Sequence, residues 1–415
     1  MTFEELELPS AREGLFGELA VPPSKSLAQR YLLAACLSGS PSSVARVPAA
    51  EDPQLLLRAL QAVGFSVAVD GATVRVEGFS PVSEAELFLG NNGTGLRLLL
   101  AVLAALPGRF HVDGVPRLRE RPIAPLVAAL RRLGGRMEGD QLPLVVEGGH
   151  LRSGVVALEA RESSQFLSAL MFVGAYLAGG LRVELSGPVP SWPYVTMTAG
   201  VLSEFGAEVR FEKNAVEVRG PLRPRQVAVE GDWSAAAFPL VGVAVADGDV
   251  RVSGLRYPSL QGDAAVADLL RVAGCDVEMG GDGVRVRGAA RFPLEASLRD
   301  TPDLFPAASV LVAVRGGTLT GLGHLAFKES NRVAVMTHRL RQLGFAVEAD
   351  GERFWAPGEW KPVAVAGPLS PEADHRVAMA LAVAALITPG VRLADPSCVA
   401  KSWPDFWQAW GQLAR

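Results

Sequence analysis

Apolar residues along this chain recur in one fixed order: a helically spaced run that stops at a glycine, then two short runs of alternating polarity. The order appears five times, as LLRALQAVGFSVAVDGATVRVEG (56–78), VAALRRLGGRMEGDQLPLVVEGG (127–149), TAGVLSEFGAEVRFEKNAVEVRG (198–220), AVADLLRVAGCDVEMGGDGVRVRG (265–288) and MTHRLRQLGFAVEADGERFWAPG (336–358). The glycines are Gly64, Gly134, Gly206, Gly274 and Gly344, and their spacing is nearly constant. In the second copy Leu126, Leu130 and Leu133 share one helix face, and Gly134 with Gly135 supplies a left-handed stop. Positions 136–146 then alternate around a polar turn, as a hairpin does. A further strand-like stretch and a second helix precede each copy, as in FLGNNGTGLRLLLAVLAAL (88–106), so each unit reads βαβαββ. A sixth copy, FWQAWGQLAR, starts on schedule around Gly411 and is cut off by the end of the chain. A fixed period dictates architecture before any single motif does. Six units divide into two similar α/β domains of three, with mixed sheets covered by helices.

Composition changes this picture little. A chain of 415 residues exceeds one ordinary core, and 49% hydrophobic with 20% charged residues is a globular balance. The net charge of −4 argues against a general nucleic-acid coat, so a bound anion needs a local basic pocket. Cys36, Cys275 and Cys398 lie far apart without metal spacing, and the five histidines show no HExxH pattern. A reduced cytoplasmic protein with buried thiols and no metal site is expected. The opening MTFEELELPS lacks the basic-then-apolar order of a signal peptide. The longest apolar run, VAMALAVAALI (377–387), falls short of the roughly 18–20 residues that span a bilayer and predicts a buried helix.

The candidate chemistry follows the repeat. Counting back from each glycine, Lys25, Arg97, Ser163, Asp232, Asp303 and Arg376 fall at one equivalent place, ahead of the earlier helix of each unit. Asp52, Arg121, Tyr194, Asp263, Lys328, Arg332 and Lys401 fall at a second, ahead of the later helix. Each position lies just before or inside the first turn of a predicted helix. Helix starts carry unpaired N–H groups and about half a positive charge, so several of them facing one gap favour anions.

Each cluster has a plainer reading. AVPPSKSLAQR (20–30) can be a helix capped by Ser24 or Ser26 with solvated Lys25 and Arg30; its agreement with the other loaded turns favours ligand binding. It is not a phosphate loop of the GxxxxGK[ST] kind. In LGNNGTGLR (89–97), Gly93 and Gly95 allow close approach of a ligand and Thr94 is the expected cap. Of the arginines in RLRERPIAPL (117–126), Arg121 is the one on the register. ESSQF (162–166) and EGDWSAAAF (230–238) read equally well as caps, the latter also as a hinge. RDTPDLF (299–305) and FKESNR (327–332) form the strongest pair, with Lys328, Glu329 and Arg332 expected within one helical turn. A carboxylate among cations there can shuttle protons once water is excluded. The plainer alternative is a surface salt-bridge cluster. DHR (374–376) and AKSWPDF (400–406) add His375, Arg376 and Lys401. GLGHLA (321–326) matches a dinucleotide fingerprint by letter but lies inside repeat five, without the unit that motif needs.

PPSKS…R, GNNGTG, ERPI, SSQF, PSWPY, KES-R, DHR and AKSWPDF occur in an order that closely resembles the EPSP synthase family, over essentially the whole chain. The resemblance implies an enolpyruvyl-transferase-like inside-out α/β barrel fold. Its first three-repeat domain would be residues 22–230, its second residues 1–21 plus 231–415, and its active site the cleft between them. It implies transfer of the 1-carboxyvinyl group of phosphoenolpyruvate (PEP) to the 5-hydroxyl of shikimate 3-phosphate. The reaction releases phosphate, uses no cofactor, and belongs to the shikimate pathway to chorismate and aromatic amino acids. Carried over by motif, Lys25, Ser26, Arg30, Ser163, Ser164, Gln165, Ser191, Tyr194, Asp303 and Lys328 would hold shikimate 3-phosphate. Lys25, Gly93, Arg121, Gln165, Arg332, Arg376 and Lys401 would hold PEP. Asp303 and Glu329 would be the acid–base pair, with Lys25 and His375 assisting, in a cytoplasmic monomer without nucleic-acid or membrane partners.

The chain departs from the family pattern at His324, Asn331, Asn92, Gly95 and Leu98. UDP-N-acetylglucosamine 1-carboxyvinyltransferase, which shares fold and chemistry, is the nearest alternative; its family uses a loop cysteine that positions 115–126 lack. A non-catalytic anion-binding scaffold and a nicotinamide oxidoreductase are the readings from other classes.

Overall fold

The computed structural model describes residues 5–11, 13–361, 363 and 365–414. It divides into two compact units, one of residues 23–229 and one of the described residues up to Pro22 together with those from Glu230 onward.

In the unit of residues 23–229 the second repeat is the plainest. Strand Glu84–Phe88 runs parallel to Gly108–Asp113 after the helix Gly93–Ala105. The helix Ala124–Arg132 then leads to the antiparallel hairpin Arg136–Glu138 and Leu144–Gly148, which pairs back onto Gly108–Asp113. Four strands thus form one mixed sheet, and the third repeat copies the arrangement with strands Gly154–Leu158, Leu181–Leu185, Glu208–Glu212 and Ala215–Arg219. Helices Gly93–Ala105 and Gln165–Tyr176 are almost wholly buried, which is why their sequences are apolar all round.

The first repeat is assembled differently. Its helix Lys25–Ser38 follows strand Leu15–Ala20, yet that strand pairs with Gly248–Ser253 of the fourth repeat. The place left open beside Ser42–Ala45 is taken by Gln226–Ala228, the strand that precedes the fourth repeat. The two repeats have exchanged first strands, so the chain passes between units twice.

In the other unit, the fourth and fifth repeats have the same four-stranded sheets. The sixth is abbreviated: Arg392–Ala394 pairs antiparallel with Glu5–Glu7, and Leu369 bridges to Leu393. The N-terminal strand stands where the missing hairpin would be. Helix His375–Ala385 is buried along its whole length.

The five repeat glycines have φ between 92° and 110°. In the second repeat Gly135 N donates to Leu130 O (2.9 Å) and Gly134 N to Arg131 O (3.0 Å), a Schellman stop that three later copies share. Gly411 differs from expectation: it lies within the helix Phe406–Leu413 and has no positive φ. Among the described residues the sheets are small and open, and none closes into a barrel.

Candidate active site

In the unit of residues 23–229, Ser24 rather than Ser26 caps the helix Lys25–Ser38, accepting from Leu27 N. Lys25, the first residue of that helix, pairs with Asp52 at 3.0 Å, both nearly buried. Asp52 O accepts from Asn92 Nδ2 (2.7 Å), and Asn92 Oδ1 accepts from Gly95 N (2.8 Å). Asn92 is therefore the cap of the helix Gly93–Ala105, not Thr94. The Thr94 hydroxyl instead accepts from Gln165 Nε2 at 2.9 Å. Gln165 Oε1 in turn accepts from Arg97 Nη1 (2.7 Å), whose other nitrogens donate to Pro122 O.

Arg121 is 4% exposed, while Arg117 and Arg119 pair at the surface with Glu120 and Asp113. Arg121 Nη1 donates to Asn91 O (3.4 Å), and its guanidinium lies over Gly93. A Cβ on Gly93 would stand 2.4 Å from the guanidinium carbon, so only glycine admits the arginine in this pose.

Arg30 is fully buried. Its Nε donates to Thr198 Oγ1 (2.8 Å), its Nη1 to Ser26 O (2.9 Å) and its Nη2 to Tyr194 O (3.4 Å), with the Tyr194 ring 5.8 Å away. Burial pulls its guanidinium down to about 10, with Tyr194 acting the other way. Ser163 Oγ accepts from Gln165 N (3.2 Å), Ser164 directly precedes the helix Gln165–Tyr176, and Ser191 enters the helix Trp192–Glu204 with φ 56°.

The other unit holds a tighter cluster centred on Arg332, which is 1% exposed. Its Nη1 donates to Asp303 (2.8 Å), its Nη2 to Glu329 (2.8 Å) and Asp374 (3.3 Å), and its Nε to Asp374 (2.8 Å). Arg376 pairs with the second oxygen of Asp303 at 2.8 Å, and Lys328 stands 3.8 Å from the first. Ser330 Oγ and Arg376 N also donate to Asp374. Arg376 Nε donates to His375 Nε2 (3.4 Å), and His375 Nδ1 stands 3.7 Å from Asp374. Lys401 ends the turn Pro396–Lys401 and is 4% exposed.

Lys328 and Glu329 do not share a helical turn with Arg332 as expected. They occupy the link between the turn Gly323–Phe327 and the helix Arg332–Gln342, where Asn331 Oδ1 caps by accepting from Ala334 N (3.3 Å). The amide oxygen of Asn331 thus does what an aspartate would do. His324 lies in the preceding turn, where burial, then Lys328 and Arg299, pull its imidazole down to about 3.

Asp374, which accepts from Ser330, Arg332 and Arg376, stands out in the sequence only as part of DHR. Nothing local marks it, because its partners Ser330 and Arg332 are more than forty positions away. Arg97 and Asp263 are marked by the repeat register alone.

Fold and clusters together define a class: α/β proteins of repeated βαβαββ units, with guanidinium and carboxylate groups gathered at helix starts. Within it, this chain belongs to the EPSP synthase (3-phosphoshikimate 1-carboxyvinyltransferase) family, whose profile matches residues 10–410. Relatives named 3-phosphoshikimate 1-carboxyvinyltransferase include that of Syntrophobacter fumaroxidans, 37% identical over 96% of this chain and 97% of the relative. That of Thiobacillus denitrificans is 36% identical over 99% and 100%. The solved EPSP synthase of Acinetobacter baumannii superposes with a TM-score of 0.79 at 24% identity, covering 99% of this chain and 98% of that one. The enolpyruvyl transferase NikO of Streptomyces tendae gives 0.77 at 20%, covering 99% and 97%. At those identities the two structures speak for the fold alone.

Proposed function

We propose that the protein transfers the enolpyruvyl group of PEP to the 5-hydroxyl of shikimate 3-phosphate, giving 5-enolpyruvylshikimate 3-phosphate and phosphate. The observation that carries the reading is the Arg332 cluster, in which Asp303 and Glu329 are held by one buried guanidinium beside Lys328 and Arg376. Family membership supplies the substrates.

The hydroxyl oxygen attacks C2 of PEP, loses its proton to one carboxylate, and C3 gains a proton from the other. The tetrahedral adduct then returns a C3 proton, the C2–O bond to phosphate breaks, and phosphate leaves. Lys25, Arg121, Gln165, Arg332, Arg376 and Lys401 would hold PEP, with Gly93 leaving room for Arg121. Lys25, Ser26, Arg30, Ser163, Ser164, Gln165, Ser191, Tyr194, Asp303 and Lys328 would hold shikimate 3-phosphate, and His375 would assist proton transfer. Charge-assisted hydrogen bonds of this kind contribute about 1.5–3 kcal/mol each. These residues come from both units, so the reading requires both to serve one substrate pair. It also takes the enzyme to be a cytoplasmic monomer; burial pushes the Cys36 and Cys275 thiols up to about 12 and about 11, which suits inert, reduced cysteines.

A coupled phosphate assay with PEP tests this, using shikimate 3-phosphate and UDP-N-acetylglucosamine as alternative acceptors. Phosphate release with the first acceptor alone is the expected result. Release only with the second, or with neither, would refute the assignment.

A further inference from the structure

Three consecutive residues at one helix start each meet, directly or through one neighbour, a different side chain of the set read as taking PEP. Asn92 Nδ2 donates to Asp52 O (2.7 Å), and the Asp52 carboxylate grips Lys25 at 3.0 Å. Gly93 lies under the Arg121 guanidinium, and the Thr94 hydroxyl accepts from Gln165 Nε2 (2.9 Å). All of these residues belong to the unit of residues 23–229. The segment 92–94 is thus a common reference for Lys25, Arg121 and Gln165.

Asn92 does more than a cap has to do. It is fully buried and starts the helix Gly93–Ala105 by accepting from Gly95 N (2.8 Å) through Oδ1. Serine, threonine or aspartate would serve there too, since capping uses only a side-chain oxygen. The second bond, from Nδ2 to Asp52 O, needs a donor set apart from the capping oxygen, which among the usual caps only asparagine supplies. It ties the start of the helix Gly93–Ala105 to the first turn of the helix Glu51–Ala62, which carries Asp52. Gly95 belongs to the same arrangement. A Cβ there would run into Asn92 Nδ2, with Gln29 Oε1 2.9 Å away on the helix Lys25–Ser38. The Asn92 amide therefore fills the volume of a side chain that residue 95 lacks. Both positions depart from the family pattern, as a pair that fits only together would.

We propose that Asn92 is a positioning residue for PEP: its amide sets the Lys25–Asp52 pair in register with the turn against which Arg121 and Gln165 lie. The inference rests on the functional reading above for the identity of the ligand and adds a residue to it. PEP is small, so its phosphate and carboxylate must meet several donors at fixed spacing. A displacement on the order of 1 Å can cost up to about 100-fold in rate. A bond of 2.7 Å between two buried groups holds that spacing, because breaking it leaves both unsatisfied.

Asn92→Ser separates the two roles. Serine caps a helix about as well as asparagine, but its hydroxyl is too short to cap Gly95 N and reach Asp52 O together. Steady-state kinetics on the full-length protein should show KM for PEP raised on the order of tenfold, the equivalent of one hydrogen bond, with kcat lowered far less. KM for shikimate 3-phosphate, held also through Arg30 and Tyr194, should change less than about threefold, and Tm by less than about 3 °C. An unchanged KM for PEP in Asn92→Ser would reduce Asn92 to a cap and overturn the proposal. Equal rises for both substrates with a lowered Tm, the mark of a merely structural role, overturn it as well. Gly95→Ala, whose methyl displaces the amide, should by itself raise KM for PEP. Introduced into Asn92→Ala it should add less than about twofold, and full additivity counts against the pairing. Should Asn92→Ala not fold, Asn92→Ser decides. Absence of phosphate release by the wild type refutes the functional reading instead. PEP titrated calorimetrically into the wild type and Asn92→Ser is then the readout, and equal affinity, or binding by neither, overturns the role given to Asn92.

Discussion

Arg332 organises the chemistry at the scale of single residues. Its guanidinium is shared among three carboxylates, and removing it would take from the fully buried Asp374 its guanidinium partner, a loss of about 3–5 kcal/mol, while Asp303 would keep Arg376. Glu329 shares the nitrogen Nη2 of that guanidinium with Asp374. Glu329→Gln should lower kcat by roughly 10²–10⁴ while changing KM for either substrate far less. Steady-state kinetics with both substrates checks this, and equal losses in kcat and binding would count against an acid–base role. Gly93→Ala should weaken PEP binding, because its methyl meets the Arg121 guanidinium at 2.4 Å and the flexible arginine must give way. Thermal stability should change by less than about 1 kcal/mol, since the obstacle is a side-chain tip rather than backbone. A melting curve alongside PEP titration separates the two effects.

Elements stop and start here for reasons of backbone geometry. At Gly344, φ is 94° and an added Cβ would lie 1.9 Å from Lys361 O. Gly344→Ala should therefore destabilise by about 1–3 kcal/mol or more, read as a lower Tm by calorimetry. Gly411→Ala is the control: it lies inside a helix with open space around its Cα, so alanine should be neutral or stabilising by up to about 1 kcal/mol. The same contrast shows how far element boundaries were legible. Five glycines ending amphipathic runs were readable because a left-handed residue at a helix end is a local requirement. Gly411 shared the spacing but not that requirement. Thr94 was a reasonable cap by residue type, yet Asn92 takes the role because its amide also reaches Asp52 O, which is remote in sequence. The link holding Lys328 and Glu329 was invisible for a related reason: KESNR is compatible with helix, and the cap at Asn331 decides otherwise.

The whole molecule is shaped by the exchanged strands. Leu15 is fully buried in a sheet with Gly248–Ser253, a strand that the chain reaches only after completing the other unit. Leu15→Ala should cost about 2–5 kcal/mol. The loss should fall on the unit holding residues 230–414, which contains all the tryptophans except Trp192. Tryptophan fluorescence should accordingly report a lower denaturation midpoint, and an unchanged midpoint would contradict the pairing. Acid stability is also set at this scale. His324 is held near 3 in the folded protein against about 6.5 unfolded, so the unfolded state takes up a proton first as pH falls. Its contribution is complete above about pH 6.5 and is lost between there and pH 3. His324→Asn should flatten that part of the stability–pH curve in denaturant titrations. The repeat period, the helix stops and the residue types at helix starts were determined by sequence alone, because periodicity and backbone sterics act over short stretches of chain. Tertiary structure alone decided that repeats one and four trade strands, and that one arginine gathers Asp303, Glu329 and Asp374. Strand exchange and buried ion pairing join positions far apart in the chain, and only the packing of the complete fold selects among such partners.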